Sequence, residues 1–90
     1  MLKLFWERFP DAEQPLRAWH TAVKHASWLT PNDVKAMYGN ASIVGSNRAI
    51  FNIKGNSYRL VVAINYPMGI VFIRFVGTHK DYDSIDATSI

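Results

Sequence analysis

The feature that most constrains this chain is a change of hydrophobic period near residue 47. Beyond it, three runs alternate apolar and polar positions, separated by short turn signals. Arg48 to Lys54 sets Ala49, Phe51 and Ile53 against Arg48, Ile50, Asn52 and Lys54. Gly55-Asn56 reads as a two-residue hairpin loop, since both residues tolerate positive φ. Ser57 to Tyr66 sets Tyr58, Leu60, Val62 and Ile64 against Arg59, Val61, Ala63 and Asn65. After Pro67-Met68-Gly69, Ile70 to Gly77 sets Val71, Ile73 and Phe75 against Ile70, Phe72, Arg74 and Val76. Loops this short can join the strands only as an antiparallel meander. Ala41 to Gly45 adds a short extended piece before the Gly45-Ser46-Asn47 turn.

Before the switch the spacing is helical. Leu2, Phe5, Trp6 and Phe9 share the face of a short helix stopped by Pro10. Asp11 reads as the cap of a second helix, with Gln14 as its reciprocal partner and Pro15 tolerated in the first turn. Leu16, Trp19, Val23 and Ala26 form its buried stripe, with Arg17, His20 and Lys24 outward. Thr30-Pro31-Asn32-Asp33 starts a third helix, whose inner side is Val34, Met37 and Tyr38 and which Gly39-Asn40 ends. Thr78 caps a last helical turn carrying His79 to Asp86. Helices first and a meander second predict an α+β class: one domain over 1–90, with N-terminal helices on one face of a three-stranded antiparallel sheet and a short C-terminal helical turn.

Charge is distributed unevenly along the sequence. Residues 1 to 33 balance, whereas Val34 to Lys80 contains Lys35, Arg48, Lys54, Arg59, Arg74 and Lys80 and no carboxylate; Asp81, Asp83 and Asp86 reverse the sign at the end. Such a stretch attracts polyanions wherever it folds together, or else forms a solvated basic surface. The chain has no Cys, which removes disulfides, thiolate nucleophiles and Cys-ligated metals. No apolar run approaches the roughly 20 residues of a membrane span, and the first residues lack the apolar core of a signal peptide, so a cytoplasmic protein with no membrane partner is expected.

Arg59 and Arg74 interrupt apolar strand centres, where a guanidinium is costly unless it meets an anion or reaches water. Its planar fork suits phosphate; the structural alternative is solvent, or pairing with Asp81, Asp83 or Asp86. His79 can move a proton near neutral pH, Tyr82 can share that task, and Lys80 can stabilise developing charge. No Gly-rich phosphate loop and no nucleophile elbow occurs. His20 and His25 are five apart, wrong for one helix face, and no metal or cofactor site is expected. The three tryptophans fall in the helical half and read as packing.

Asn47-Arg48-Ala49-Ile50-Phe51-Asn52-Ile53-Lys54-Gly55-Asn56, then Tyr58-Arg59-Leu60-Val61-Val62, then Phe72-Ile73-Arg74-Phe75-Val76-Gly77-Thr78-His79-Lys80-Asp81-Tyr82-Asp83 closely resembles the HigB-type toxins of the RelE superfamily. Phe5-Trp6-Glu7 through Asp11 to Trp19 matches too, so the resemblance covers nearly the whole chain. It implies a RelE-like fold with a four-stranded sheet. It also implies an endoribonuclease toxin that cuts mRNA in the ribosomal A site, against 16S rRNA and without metal. The implied partner is a HigA-type helix-turn-helix antitoxin, with operator DNA met only through that antitoxin. By position the resemblance marks Lys54, Asn56, Arg59, Arg74, His79 and Tyr82. With the chemistry above, catalysis is expected from Arg59, Arg74, His79 and Tyr82, and RNA binding from Arg48, Asn52, Lys54, Asn56 and Lys80. Relatives usually open with a short strand before the first helix, whereas this sequence begins inside that helix: either the true start lies upstream, or this copy has lost a strand, a loss that would leave a place in the sheet unfilled. The competing expectation is therefore a non-catalytic RNA- or partner-binding module, a toxin homologue inactivated by loss of that strand.

Overall fold

The computed structural model describes all 90 residues. Helix α1 (Leu2–Arg8) leads through a 3-10 turn at Pro10–Ala12 into α2 (Glu13–Lys24), followed by α3 (Pro31–Met37). Strands β1 (Ser42–Val44), β2 (Arg48–Ile53), β3 (Tyr58–Asn65) and β4 (Ile70–Thr78) form an antiparallel sheet in the order β1-β2-β3-β4, and α4 (His79–Asp83) follows directly. The short extended piece thus joins the sheet as a fourth strand, pairing Val44 with Arg48 across a turn whose positive φ falls on Ser46 and Asn47.

Local chemistry explains most boundaries. Pro10 cannot donate into α1, so the first helix stops at Arg8, with Phe9 as its C-cap. Thr30 and Asp33 form a reciprocal capping box at α3, and Lys35 closes its far end by donating to the Gly39 and Ala41 carbonyls at 2.7 Å each. The expected Asp11 cap of α2 does not form: Ala12 occupies the N-cap, and the Asp11 carboxylate accepts instead from Lys54 Nζ and the Tyr58 hydroxyl, each at 2.5 Å. Two charged or polar donors brought by the sheet outcompete a local backbone N–H, because charge-assisted bonds are the stronger ones. Met37, expected on the inner side of α3, is exposed because the helix ends there and Tyr38 packs inward in its place.

The main core lies between helices and sheet: Leu16, Trp19, Trp28 and Val34 meet Ala49, Phe51, Ile53, Tyr58, Leu60, Val62 and Ile64. Phe51 is its centre, edge-on to Trp19 and Tyr38 at ring distances of 5.4 and 5.2 Å and stacked with Trp28 at 5.9 Å. Burying such a ring stabilises by about 1.5–3 kcal/mol. The alternation expected for β2 and β3 holds.

In β4 it fails at one place. Val61 pairs with Phe75 and Val62 with Ile73, leaving Arg74 as an extra, bulged residue. Val71, Ile73 and Val76 therefore face the helices, and Phe75 faces the other way, where alternation alone had set Phe75 with Val71 and Val76 against it. The loop after β2 also differs. It spans Lys54–Ser57 rather than two residues, with positive φ at Lys54 and Gly55 and the Ser57 N–H donating to the Lys54 carbonyl.

The face away from the helices is not bare. The last helix ends at Asp83, three residues short of expectation, and the chain from Ser84 crosses that face. Ile85, Ala87 and Ile90 cover Ile50, Val61, Val44, Phe75 and Tyr82 in a second small core. Enough apolar surface is buried there to outweigh one more helical turn.

Candidate active site

Three residues in register cross one end of this second face: Asn52 pairs with Arg59, and Arg59 with Gly77. Helix α4 packs beside them. Thr78 caps it by accepting from the Asp81 N–H at 3.1 Å, and the His79 N–H donates to the Ser57 carbonyl at 3.3 Å, tying α4 to the Lys54–Ser57 loop. The Tyr82 ring lies 6.0 Å from the Arg59 guanidinium. Arg59 has only long contacts, 3.4 Å to the Asn56 carbonyl and 3.5 Å to its side-chain oxygen, and no ion pair. Two of the alternative partners are occupied otherwise, Asp83 Oδ2 sitting 3.2 Å from His79 Nδ1 and Asp86 accepting from Thr88, and the Asp81 carboxylate makes no ion pair. Arg59 is thus a guanidinium held in place and left free to bind an anion.

The Asp83 carboxylate stands 3.2 Å from Nδ1 of the half-exposed His79 ring, one helical turn away, and an imidazole there can move a proton. Lys54 opens the loop next to the site, but its side chain, 48% exposed, is paired with Asp11 of the 3-10 turn. Hydrogen bonds from Lys54 and then Tyr58 lower the Asp11 pKa below the ordinary carboxylate value, and the same bond raises that of Tyr58. No three His, Asp or Glu side chains stand together as a metal ion would need.

The structure brings Asn52, Asn56, Arg59 and Tyr82 together, with His79 and the exposed Lys80 at the start of the helix that carries Tyr82; Lys54 is instead paired with Asp11. It does not bring Arg74 into that group. Arg74 lies three positions before Gly77 on β4, with its guanidinium 5.9 Å from the Phe72 ring and Phe75 in between. Arg48 is at the opposite end of β2, donating to the Ile90 carbonyl at 3.1 and 2.6 Å and to Ser46. Sequence reasoning missed Asp11 and the role of Asp83. The i to i+4 spacing of His79 and Asp83 could have revealed the second; nothing local reveals a contact between residues 11 and 54.

Helices packed on one face of a four-stranded antiparallel meander, closed by a short C-terminal helix, make up a RelE-like α+β fold. Residues 12–85 match the family model described as HigB toxin, RelE-like toxic component of a toxin-antitoxin system, and the chain belongs to that family. It is also similar to the mRNA interferase toxin HigB of Escherichia coli K12, with 26% identity over 83 residues that span 90% of this chain and 80% of the relative. The mRNA interferases HigB of Escherichia coli O157:H7 and Shigella flexneri show the same identity and coverage. No helix is long and apolar enough to cross a membrane.

Proposed function

We propose that this toxin is a cytoplasmic, ribosome-dependent endoribonuclease that cleaves translated mRNA without a metal ion and is held inactive by a helix-turn-helix antitoxin. The observation that carries the reading is the Arg59 guanidinium, without an ion pair and 6.0 Å from the ring of Tyr82, which sits on the short helix that also carries the His79–Asp83 pair. Cleavage by the ribose 2′-OH needs a base for that hydroxyl, cations for the pentavalent phosphate and an acid for the 5′ oxygen. Arg59 binds the phosphate oxygens with Lys54 at the rim, and His79 and Tyr82 exchange the protons. Arg74 holds the mRNA backbone further along the strand. Asn52, Asn56 and Lys80 contact RNA around the scissile step, and the basic surface supplies sequence-independent affinity for rRNA and mRNA. The relatives named mRNA interferases support the substrate class.

The test is cleavage of a reporter mRNA on purified, programmed ribosomes in excess chelator, with cut sites mapped by primer extension. Cuts on the ribosome, absent with Arg59→Ala, are expected. A folded protein that binds ribosomes and leaves the message intact is instead a non-catalytic binding module.

A further inference from the structure

Arg48 spends its guanidinium at the far end of the second face. Its Nε and Nη2 donate to the Ile90 carbonyl at 3.1 and 2.6 Å, and Nη1 donates to the Ser46 carbonyl at 2.7 Å. Four residues of β2, about 13 Å, separate it from Asn52, the cross-strand partner of Arg59. The segment from Ser84 to Ile90 links the two ends. Its backbone makes no backbone hydrogen bond to the sheet: the Ser84, Ile85 and Ser89 N–H groups donate to the Asp81, Tyr82 and Asp86 carbonyls. Side-chain packing and Arg48 hold it down instead. Ala87 is the only buried residue after Gly77, and Ile85 and Ile90 lie half-buried in the same small core. Thr88 reaches the turn between β1 and β2, where a β-carbon built on Gly45 would stand 3.9 Å from its Cγ2.

Tyr82 belongs to both ends of this connection. Its ring packs against the cluster of Ile50, Val61 and Ala87, and the same ring lies 6.0 Å from the Arg59 guanidinium. Helix α4 has five residues, too few to hold a side chain in place unaided. A segment fastened by few contacts opens locally at small cost in free energy, and each opening strips Ala87 and its neighbours from beside the ring. We infer that Arg48 is a positioning residue for the cleavage reaction. By holding the Ile90 carbonyl it keeps residues 84–90 on the sheet, and that segment keeps Tyr82 beside Arg59. This rests on the reading that gives Tyr82 a proton to move, and it adds a residue that acts on the chemistry without touching RNA. A reacting group misplaced by about 1 Å can cost roughly 10²-fold in rate, so a distant fastening suffices to matter.

The test has two readouts on the full chain. In NMR spectra with isotope-labelled tyrosine, the Tyr82 ring should show cross-peaks to the methyl groups of Ile50, Val61 and Ala87. Arg48→Ala and Ile90→Ser should both weaken them, whereas Arg48→Lys should keep them, since an ammonium still donates to a carbonyl. Ile90 lies outside the main core, so its variant loosens the segment even where Arg48→Ala fails to fold. On programmed ribosomes at saturation, Arg48→Ala and Ile90→Ser should slow single-turnover cleavage by about 10–10²-fold with ribosome binding unchanged. Arg48→Lys should recover most of that rate. In a Tyr82→Phe background, which keeps the ring and loses the hydroxyl, Ile90→Ser and Arg48→Ala should each change the rate by about twofold or less. Parental cross-peaks or parental rates in the folded variants, equal slowing with and without the Tyr82 hydroxyl, or a loss confined to ribosome binding would each overturn the inference. The cross-peaks are read without RNA, so a chain that loses them on substitution yet cuts no message overturns the cleavage reading and leaves the hold of Arg48 on Tyr82 supported.

Discussion

The ring of Phe75 lies directly over Gly77: a β-carbon built on Gly77 would stand 2.5 Å from Phe75 Cζ and 3.3 Å from the Asp81 β-carbon. The glycine is needed for space, since its φ is not in the left-handed region. Gly77→Ala should displace the ring, loosen the contact between β4 and α4, and destabilise the fold by about 1–3 kcal/mol, the usual range for overpacking. Urea denaturation measures it. The double variant Gly77→Ala/Phe75→Leu should recover part of the loss; a single variant as stable as the parent would show that the ring moves freely.

The Asp11–Tyr58 bond gives stability a pH dependence at both extremes. Asp11 has a lowered folded pKa, so its contribution is present above the unfolded value near 3.8 and is lost as pH falls through the folded one. Tyr58 has a raised pKa, so its contribution is present below 10.0 and is lost as pH climbs through the folded value. Asp11→Asn should shrink the acid-side loss of thermal stability and lower one tyrosine pKa in an absorbance titration, with Tyr38 and Tyr66 still raised by burial. An unchanged alkaline titration would contradict this.

If His79 transfers a proton, His79→Gln should slow single-turnover cleavage by about 10²–10⁴-fold with ribosome binding nearly intact. Asp83→Asn should give a smaller loss of the same rate, because the ring loses its neighbour while keeping its nitrogen atoms. A folded Asp83→Asn variant with the parental rate would remove Asp83 from the account.

The three strand arginines should separate by assay. Arg59→Ala and Arg74→Ala should each weaken RNA association and reduce its log–log salt slope by about one. Arg48→Ala should leave that slope near the parental value and cost about 1–3 kcal/mol of stability, since its guanidinium is spent on the Ile90 carbonyl. Protease cutting within 84–90 should rise in that variant. A salt slope lowered equally by all three would place Arg48 on the RNA.

The meander, the helix order and the inward faces of β2 and β3 were legible because each rests on local periodicity and turn chemistry. Thr30 and Thr78 were readable as caps for the same reason. What escaped depends on partners distant in sequence. Asp11 abandons a local cap for residues 54 and 58, and Ile85 to Ile90 leave the helical pattern to cover Ile50 and Val61. Of the expected site residues, those near the Lys54–Ser57 loop and α4 converge. Arg48 and Arg74 do not, since strand alternation assigns a face and says nothing about position along it.

Arg74 is supernumerary in its strand. Ile73 and Phe75 already face consecutive partners, Val62 and Val61, so the ladder would close without it and every later residue would keep its neighbour. Excising that single codon should therefore remove one guanidinium while preserving the pairing from Phe75 to Thr78, whereas inserting a residue between Phe75 and Gly77 would slide Gly77 and α4 out of line with Arg59.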